Sequence, residues 1–204
     1  MNSNKFVKTV LVGTGTLLIL AGGMTAVIDP FFHYHKPLKQ LEYPLERGKE
    51  RYLNNGIIQN FDYDAAITGT SMMQNFKTSQ FDDLFGTHSV KVTLTGDTYW
   101  AIDEEIRTIF DNKSDIKYIF RCLDYNKIFD DKSDYNYDNV PTYLYDNNIW
   151  NDVQYLFNKD IFIDNTLGVI KYTLHGEKTP SMDEYSSWAA DYPVGTDYVL
   201  QTYS

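Results

Sequence analysis

Cysteine is almost absent: Cys122 stands alone among 204 residues. One thiol can form neither an internal disulfide nor a cysteine-rich zinc site. Its setting, Tyr118-Ile-Phe-Arg-Cys-Leu123, reads as a buried strand, so the thiol is expected as a small core side chain. Basic residues are scarce too: 18 Lys and Arg face 28 Asp and Glu, a formal net charge of -10. A surface of that sign repels phosphate backbones, which argues against nucleic-acid binding. It also makes the domain unlikely to lie on anionic lipid beyond its membrane anchor, residues 9–28. Histidine occurs only at positions 33, 35, 88 and 175. The acidic run of Asp130, Asp131, Asp134 and Asp138 lacks the glycine and terminal glutamate of a calcium loop, and reads as solvated. No metal and no cofactor is expected, and no internal repeat is found.

What is present begins with an apolar run. Thr9 to Ile28 carries no charged residue. About 20 residues at 1.5 Å per residue span roughly 30 Å, the thickness of a bilayer's hydrocarbon. Lys5 and Lys8 precede the run and Asp29-Pro30 closes it. The positive-inside rule then puts residues 1–8 in the cytoplasm, 9–28 in the membrane and the rest outside. A cleaved signal peptide fits the charged start and apolar middle as well, but the run is long and no A-x-A site precedes Asp29. Phe31, Phe32, His33 and Tyr34 suit a membrane–water interface. A surface protein without disulfides is compatible with a Gram-positive envelope.

Residues 29–60 form a connecting segment punctuated by Pro30, Pro37 and Pro44, with helical composition over Glu46–Asn55. An α/β domain is expected over 61–204. Ala65 to Thr68 is a short apolar strand stopped by Gly69. Met72 to Phe85 has helical spacing, broken near Thr78-Ser79. Ser89 to Leu94 alternates as a second strand and Thr95-Gly-Asp97 turns the chain. Tyr99 to Phe110 is an amphipathic helix with Ile102, Ile106, Ile109 and Phe110 on one face. Ile116 to Leu123 reads as a third, buried strand. Strand and helix in alternation predict a parallel sheet with its ligand site beyond the carboxyl ends of the strands, where Gly69-Thr-Ser71, Thr95-Gly-Asp97 and Asp124-Tyr-Asn126 are expected to converge. Asp130 to Asn148 is a long loop, and short helices are expected over Asn151–Phe157 and Ile161–Tyr172. Thr179 to Ser204 has no strong periodicity.

Ser71 lies where the first strand of such a sheet would turn into a helix. A serine there presents its hydroxyl, and the helix start offers N–H donors to an oxyanion. The plainer role is to cap the helix that starts at Met72. The block Asp64-Ala-Ala-Ile-Thr-Gly-Thr-Ser71 resembles the first motif of the SGNH (GDSL-type) hydrolases. It is similar to membrane-anchored relatives linked to cell-surface polysaccharide acylation and D-alanyl transfer. The family also has a glycine after its second strand and an asparagine after its third, where Gly96 and Asn126 stand.

The resemblance covers roughly residues 60–130. It implies a flavodoxin-like three-layer parallel sheet, Ser71 as nucleophile, and an oxyanion hole of the Ser71 amide, Gly96 and Asn126. It implies a serine esterase or O-acyltransferase acting on a cell-surface glycan or related polymer. The family's base sits in an Asp-x-x-His near its C-terminus. Here Phe85 precedes His88 by three residues, and Tyr172 precedes His175 likewise. No base is identified, and the expectation is that a C-terminal part of the protein lies beyond Ser204. The alternative is a membrane-tethered accessory or glycan-binding protein with the same fold. Trp100, Trp150 and Trp188 could stack on sugar rings but read first as packing residues.

Overall fold

The computed structural model describes residues 3–131, 140–146 and 148–188. The chain divides into two compact units. Met1–Pro44 joins Pro141–Thr179 in an anchor unit, and Leu45–Val140 joins Pro180–Ser204 in a sheet unit. Most of the expected 130–148 loop lies outside the described residues; Thr142–Leu144 forms one 3-10 turn.

In the sheet unit, β1 (Ala65–Gly69), β2 (Ser89–Thr93) and β3 (Tyr118–Arg121) are parallel in the order β2-β1-β3. Parallel neighbours need a crossover between them. A 3-10 turn over Ser71–Asn75 and α3 (Thr78–Phe85) join β1 to β2, and α4 (Tyr99–Asn112) joins β2 to β3. The break in the first crossover falls at Phe76-Lys77. Residues in register share a face of the sheet. Ile67 stands beside Lys91 and Phe120, while Thr68 stands beside Val92 and Arg121. Phe81 of α3 packs 4.0 Å from the Phe120 ring. On the other face, Arg121 pairs with Asp103 of α4.

Helix α2 (Glu50–Asn60) starts four residues later than its composition suggests, and buries Leu53, Asn54, Ile57 and Ile58. In α4, Ile102 and Ile109 are buried, but Phe110 is exposed. Phe110 lies one residue, about 100°, past Ile109 around the helix, off its core stripe. Gly86 ends α3 in the left-handed conformation at φ 63°, with its amide on the Asp82 carbonyl.

The second strand forms where expected, and the burial expected of the third needs correction. All five β2 residues are buried, so the alternation of Ser89, Lys91 and Thr93 does not mark a solvent face. Lys91 is fully buried, its ammonium donating to the carbonyls of Gln74 (2.7 Å), Asp183 (2.8 Å) and Tyr185 (3.0 Å). Conversely, β3 is partly exposed, and Cys122 just after it is only half-buried. Among the described residues β3 is an edge strand, paired on one side alone.

The anchor unit is built on α1 (Ser3–Ile28), 26 residues long and apolar enough to cross a membrane. Most of it is exposed, but its last two turns pack within the unit. Gly22 lets the Phe157 ring lie so close that a β-carbon would sit 2.8 Å from it. Thr25 and Thr166 share a hydroxyl–hydroxyl bond of 3.2 Å. These contacts come from α5 (Val153–Leu156) and from a π-helical stretch, Ile161–Thr166, that continues into α6 (Leu167–Leu174).

The chain leaves α1 through a tight knot. Asp29 (φ 49°) is fully buried, and its carboxylate accepts four bonds. The donors are the amides of His33 (2.9 Å), Tyr34 (2.7 Å) and His35 (3.0 Å) and the Tyr155 hydroxyl (2.7 Å). A buried carboxylate is tolerated when its lone pairs are filled this way. Phe31 and Phe32 are buried beside this knot, so they are core residues and not interface aromatics. His33 and Tyr34 spend their side chains on Asp152, at 3.3 and 3.1 Å.

Candidate active site

The three segments singled out by sequence leave the same, carboxyl edge of the sheet. They are tied to one another there. The Leu94 amide bonds the Gly69 carbonyl (2.9 Å), and the Cys122 amide bonds the Thr68 carbonyl (3.2 Å). Thr70 Oγ1 donates to Asp124 Oδ2 at 2.5 Å, and the Tyr99 hydroxyl donates to the Asp124 carbonyl at 2.7 Å. Lys127 Nζ donates to the Gly96 carbonyl at 3.1 Å.

Ser71 follows the central strand directly. Gly69 makes the turn: its φ is 143°, and a β-carbon there would meet Met73 Cγ at 2.8 Å and Cys122 Cβ at 3.2 Å. Only glycine combines that dihedral with that approach. Thr70, not Ser71, is the N-cap, its hydroxyl accepting from the Met72 amide at 3.5 Å. The helix-cap role foreseen for Ser71 is therefore filled by its neighbour. Ser71 is half-buried, and among the described residues its hydroxyl makes no hydrogen bond.

Gly96 is exposed with φ 71°, in the left-handed region its turn requires. Asn126 is exposed within the 3-10 turn Tyr125–Lys127. Both stand on the Ser71 edge. Beside Gly96, Asp97 is buried and paired with Arg51 at 2.6 Å. Burial pushes the Asp97 carboxyl up, and the Arg51 guanidinium opposes that rise. Burial and then the Asp124 charge push the Cys122 thiol up, so it is not activated as a thiolate.

The turn after Ser71 is held by residues far away in sequence. Trp188 Nε1 donates to the Ser71 carbonyl at 2.9 Å, and the Trp188 amide donates to Asn75 Oδ1 at 2.9 Å. Gln74 Nε2 reaches Glu50 Oε1 (2.9 Å) and Thr95 Oγ1 (2.6 Å). Ser186 Oγ donates to the same Glu50 oxygen at 2.8 Å. Sequence reasoning brought the segments holding Thr70 and Asp124 to this edge without a role for either residue, read Trp188 as a packing or sugar-stacking residue, and missed Lys127. Thr70 directly follows β1, and Asp124 lies three residues past the end of β3.

A histidine base is missing from this edge among the described residues of the sheet unit. His88 precedes β2, where its amide bonds Asp64 Oδ1 at 2.7 Å. A five-residue strand at about 3.3 Å per residue separates it from the Ser71 edge by roughly 17 Å. His175 belongs to the anchor unit, is exposed, and lies 3.8 Å from Glu177 Oε1. Among the described residues no group of three or more His, Cys, Asp and Glu side chains is placed to hold a metal ion. Comparison with protein-family models, with curated proteins and with solved structures finds no match to this chain.

Proposed function

We propose that the chain is a membrane-anchored, SGNH-like serine esterase or O-acyltransferase acting on a cell-surface glycan or related polymer. One observation carries the reading: the unclaimed Ser71 hydroxyl at the carboxyl tip of the central strand, with Thr70 taking the cap. The position of α3 and α4 against opposite faces of the sheet supports the three-layer arrangement such enzymes use. The order β2-β1-β3 is compatible with it. The long apolar α1 supports a membrane span, and Lys5 and Lys8 support a cytoplasmic N-terminus.

In this mechanism Ser71 Oγ attacks an ester carbonyl, and its proton passes to a base. The oxyanion is taken up by the Ser71 amide, with Gly96 and Asn126 in the other donor positions. The alkoxide leaves as an alcohol by recovering that proton. Water, or a polymer hydroxyl, then attacks the acyl-serine and regenerates Ser71. The base is the part with no residue assigned to it. A missing general base typically lowers such a rate by about 10²–10⁴-fold.

The test is chemical rescue. The purified 204-residue chain is expected to hydrolyse acetyl esters very slowly, to speed up with added imidazole, and to lose that gain in Ser71→Ala. A fluorophosphonate should label Ser71 under the same conditions. A second reading has its own observation, the lack of histidine at the Ser71 edge in the described residues. It makes the chain a tethered accessory protein that binds glycan without catalysis. No rescue and no labelling, together with glycan binding, would favour it.

A further inference from the structure

The part of α1 that stands clear of the rest of its unit is too short to cross a bilayer. From Thr9 to Ala21 the charge-free stretch is about 13 residues, or roughly 20 Å at 1.5 Å per residue. Snorkelling by Lys8 adds about one turn. The hydrocarbon layer is roughly 30 Å thick. The missing length is the last two turns, Gly22 to Ile28, and these are packed inside the anchor unit against Phe157 and Thr166. The sides of those turns that the unit leaves open still present Met24 and Val27 to the outside.

The elements packed against these turns are themselves apolar on the outside. Val153 and Phe157 at α5, Ile163 in the π-helical stretch and Leu167 in α6 are all exposed. So are Ile149 and Trp150 in the turn before α5, Trp150 at 82%. Exposed apolar side chains recurring along elements packed on one another mark an interaction surface. Tryptophan is the side chain most suited to the depth where hydrocarbon meets headgroups. Asp164 in the π-helical stretch and Lys171 in α6 are exposed, as are Lys159 and Asp160 between α5 and that stretch, which limits the depth to the interfacial zone.

We infer that the anchor unit is partly embedded in the bilayer leaflet that receives the C-terminal end of α1. The partner of this surface is lipid. Its apolar residues complete a membrane span that α1 makes incompletely by itself. The inference rests on the reading of α1 as a membrane span, and the experiment separates the two.

Single cysteines are placed at Val153, Ile163, Leu167, Leu18 and Glu177 in a Cys122→Ser background. All five positions are exposed, and far-UV circular dichroism checks each variant. Each is labelled with a nitroxide in the full chain reconstituted in phosphatidylcholine–phosphatidylglycerol vesicles. The readout is collision with oxygen relative to a water-soluble nickel chelate. Labels at 153, 163 and 167 should give a ratio several-fold above Glu177 and below Leu18. If Leu18 reports hydrocarbon while 153, 163 and 167 match Glu177, the embedding is overturned and the span survives. If Leu18 itself matches Glu177, the span reading falls and takes the embedding with it.

Discussion

Lys91 holds together parts of the chain almost a hundred residues apart. Its ammonium bridges Gln74, at the end of the Ser71 turn, to Asp183 and Tyr185. Burial pushes it down to about 8 from 10.5, with Asp183 opposing, so it remains largely protonated at neutral pH. Lys91→Met removes the donor and leaves three carbonyls facing an apolar side chain. We expect a loss of about 2–4 kcal/mol, the scale for buried polar groups left unpaired. Urea denaturation in detergent, followed by near-UV circular dichroism, measures it. The sequence offers no hint of this lysine's role. An alternating Ser-Val-Lys-Val-Thr strand looks half-solvated, and it is covered by α2, α3, the Ser71 turn and the returning residues Asp183 and Tyr185, most of them distant in sequence. Ser71 was legible in part, because a serine after an apolar strand has few roles. Which of them it plays turned on Thr70, whose hydroxyl competes for the same cap.

Among the elements, those defined by local pattern were legible and those defined by distant partners were not. β1, β2 and α4 follow from runs of apolar residues and their periods. The half-exposure of β3 does not, because an apolar strand reads alike at an edge and at the centre of a sheet. The end of α6 shows the same dependence on distance. Glu42 Oε2 accepts from the Thr179 amide (2.7 Å) and hydroxyl (2.8 Å), and its Oε1 faces Lys178 Nζ at 3.0 Å. Bonds from the Thr179 amide, then its hydroxyl, lower the Glu42 carboxyl from 4.5 to about 2. A lowered carboxyl stabilises the fold fully above its unfolded value, and loses that effect as pH falls through the folded one. The Glu42–Thr179 latch should therefore hold above pH 4.5 and open progressively down to pH 2. The Thr179 amide resonance is expected to move over that window, and Glu42→Gln should remove the movement. A Thr179 shift centred near pH 4.5 would contradict the bonding geometry.

At the scale of the whole molecule, each unit is assembled from two stretches of chain separated by the other. Residues 180–188 belong to the sheet unit although they follow the last helix of the anchor unit. They supply two of the three Lys91 acceptors, and the Trp188 bond to Ser71. Asp183 also caps α3 from a distance, accepting from the Ser79 amide at 2.8 Å. Truncation after Thr179 should therefore speed amide hydrogen exchange in β2 and over residues 71–79. Exchange in α5 and α6 should stay unchanged. Acceleration spread evenly over both units would contradict the division. Such interleaving is invisible to local pattern, since residues 179–204 carry no strong period and their partners lie far upstream. The Asp29 knot has a mechanical consequence of its own. With three successive amides and a tyrosine clamped on one carboxylate, the exit from α1 offers no swivel. A helix that ends in a loose linker behaves as a rope, letting its cargo turn freely. This one behaves as an axle: any tilt or rotation of α1 is delivered as torque to the rest of its own unit.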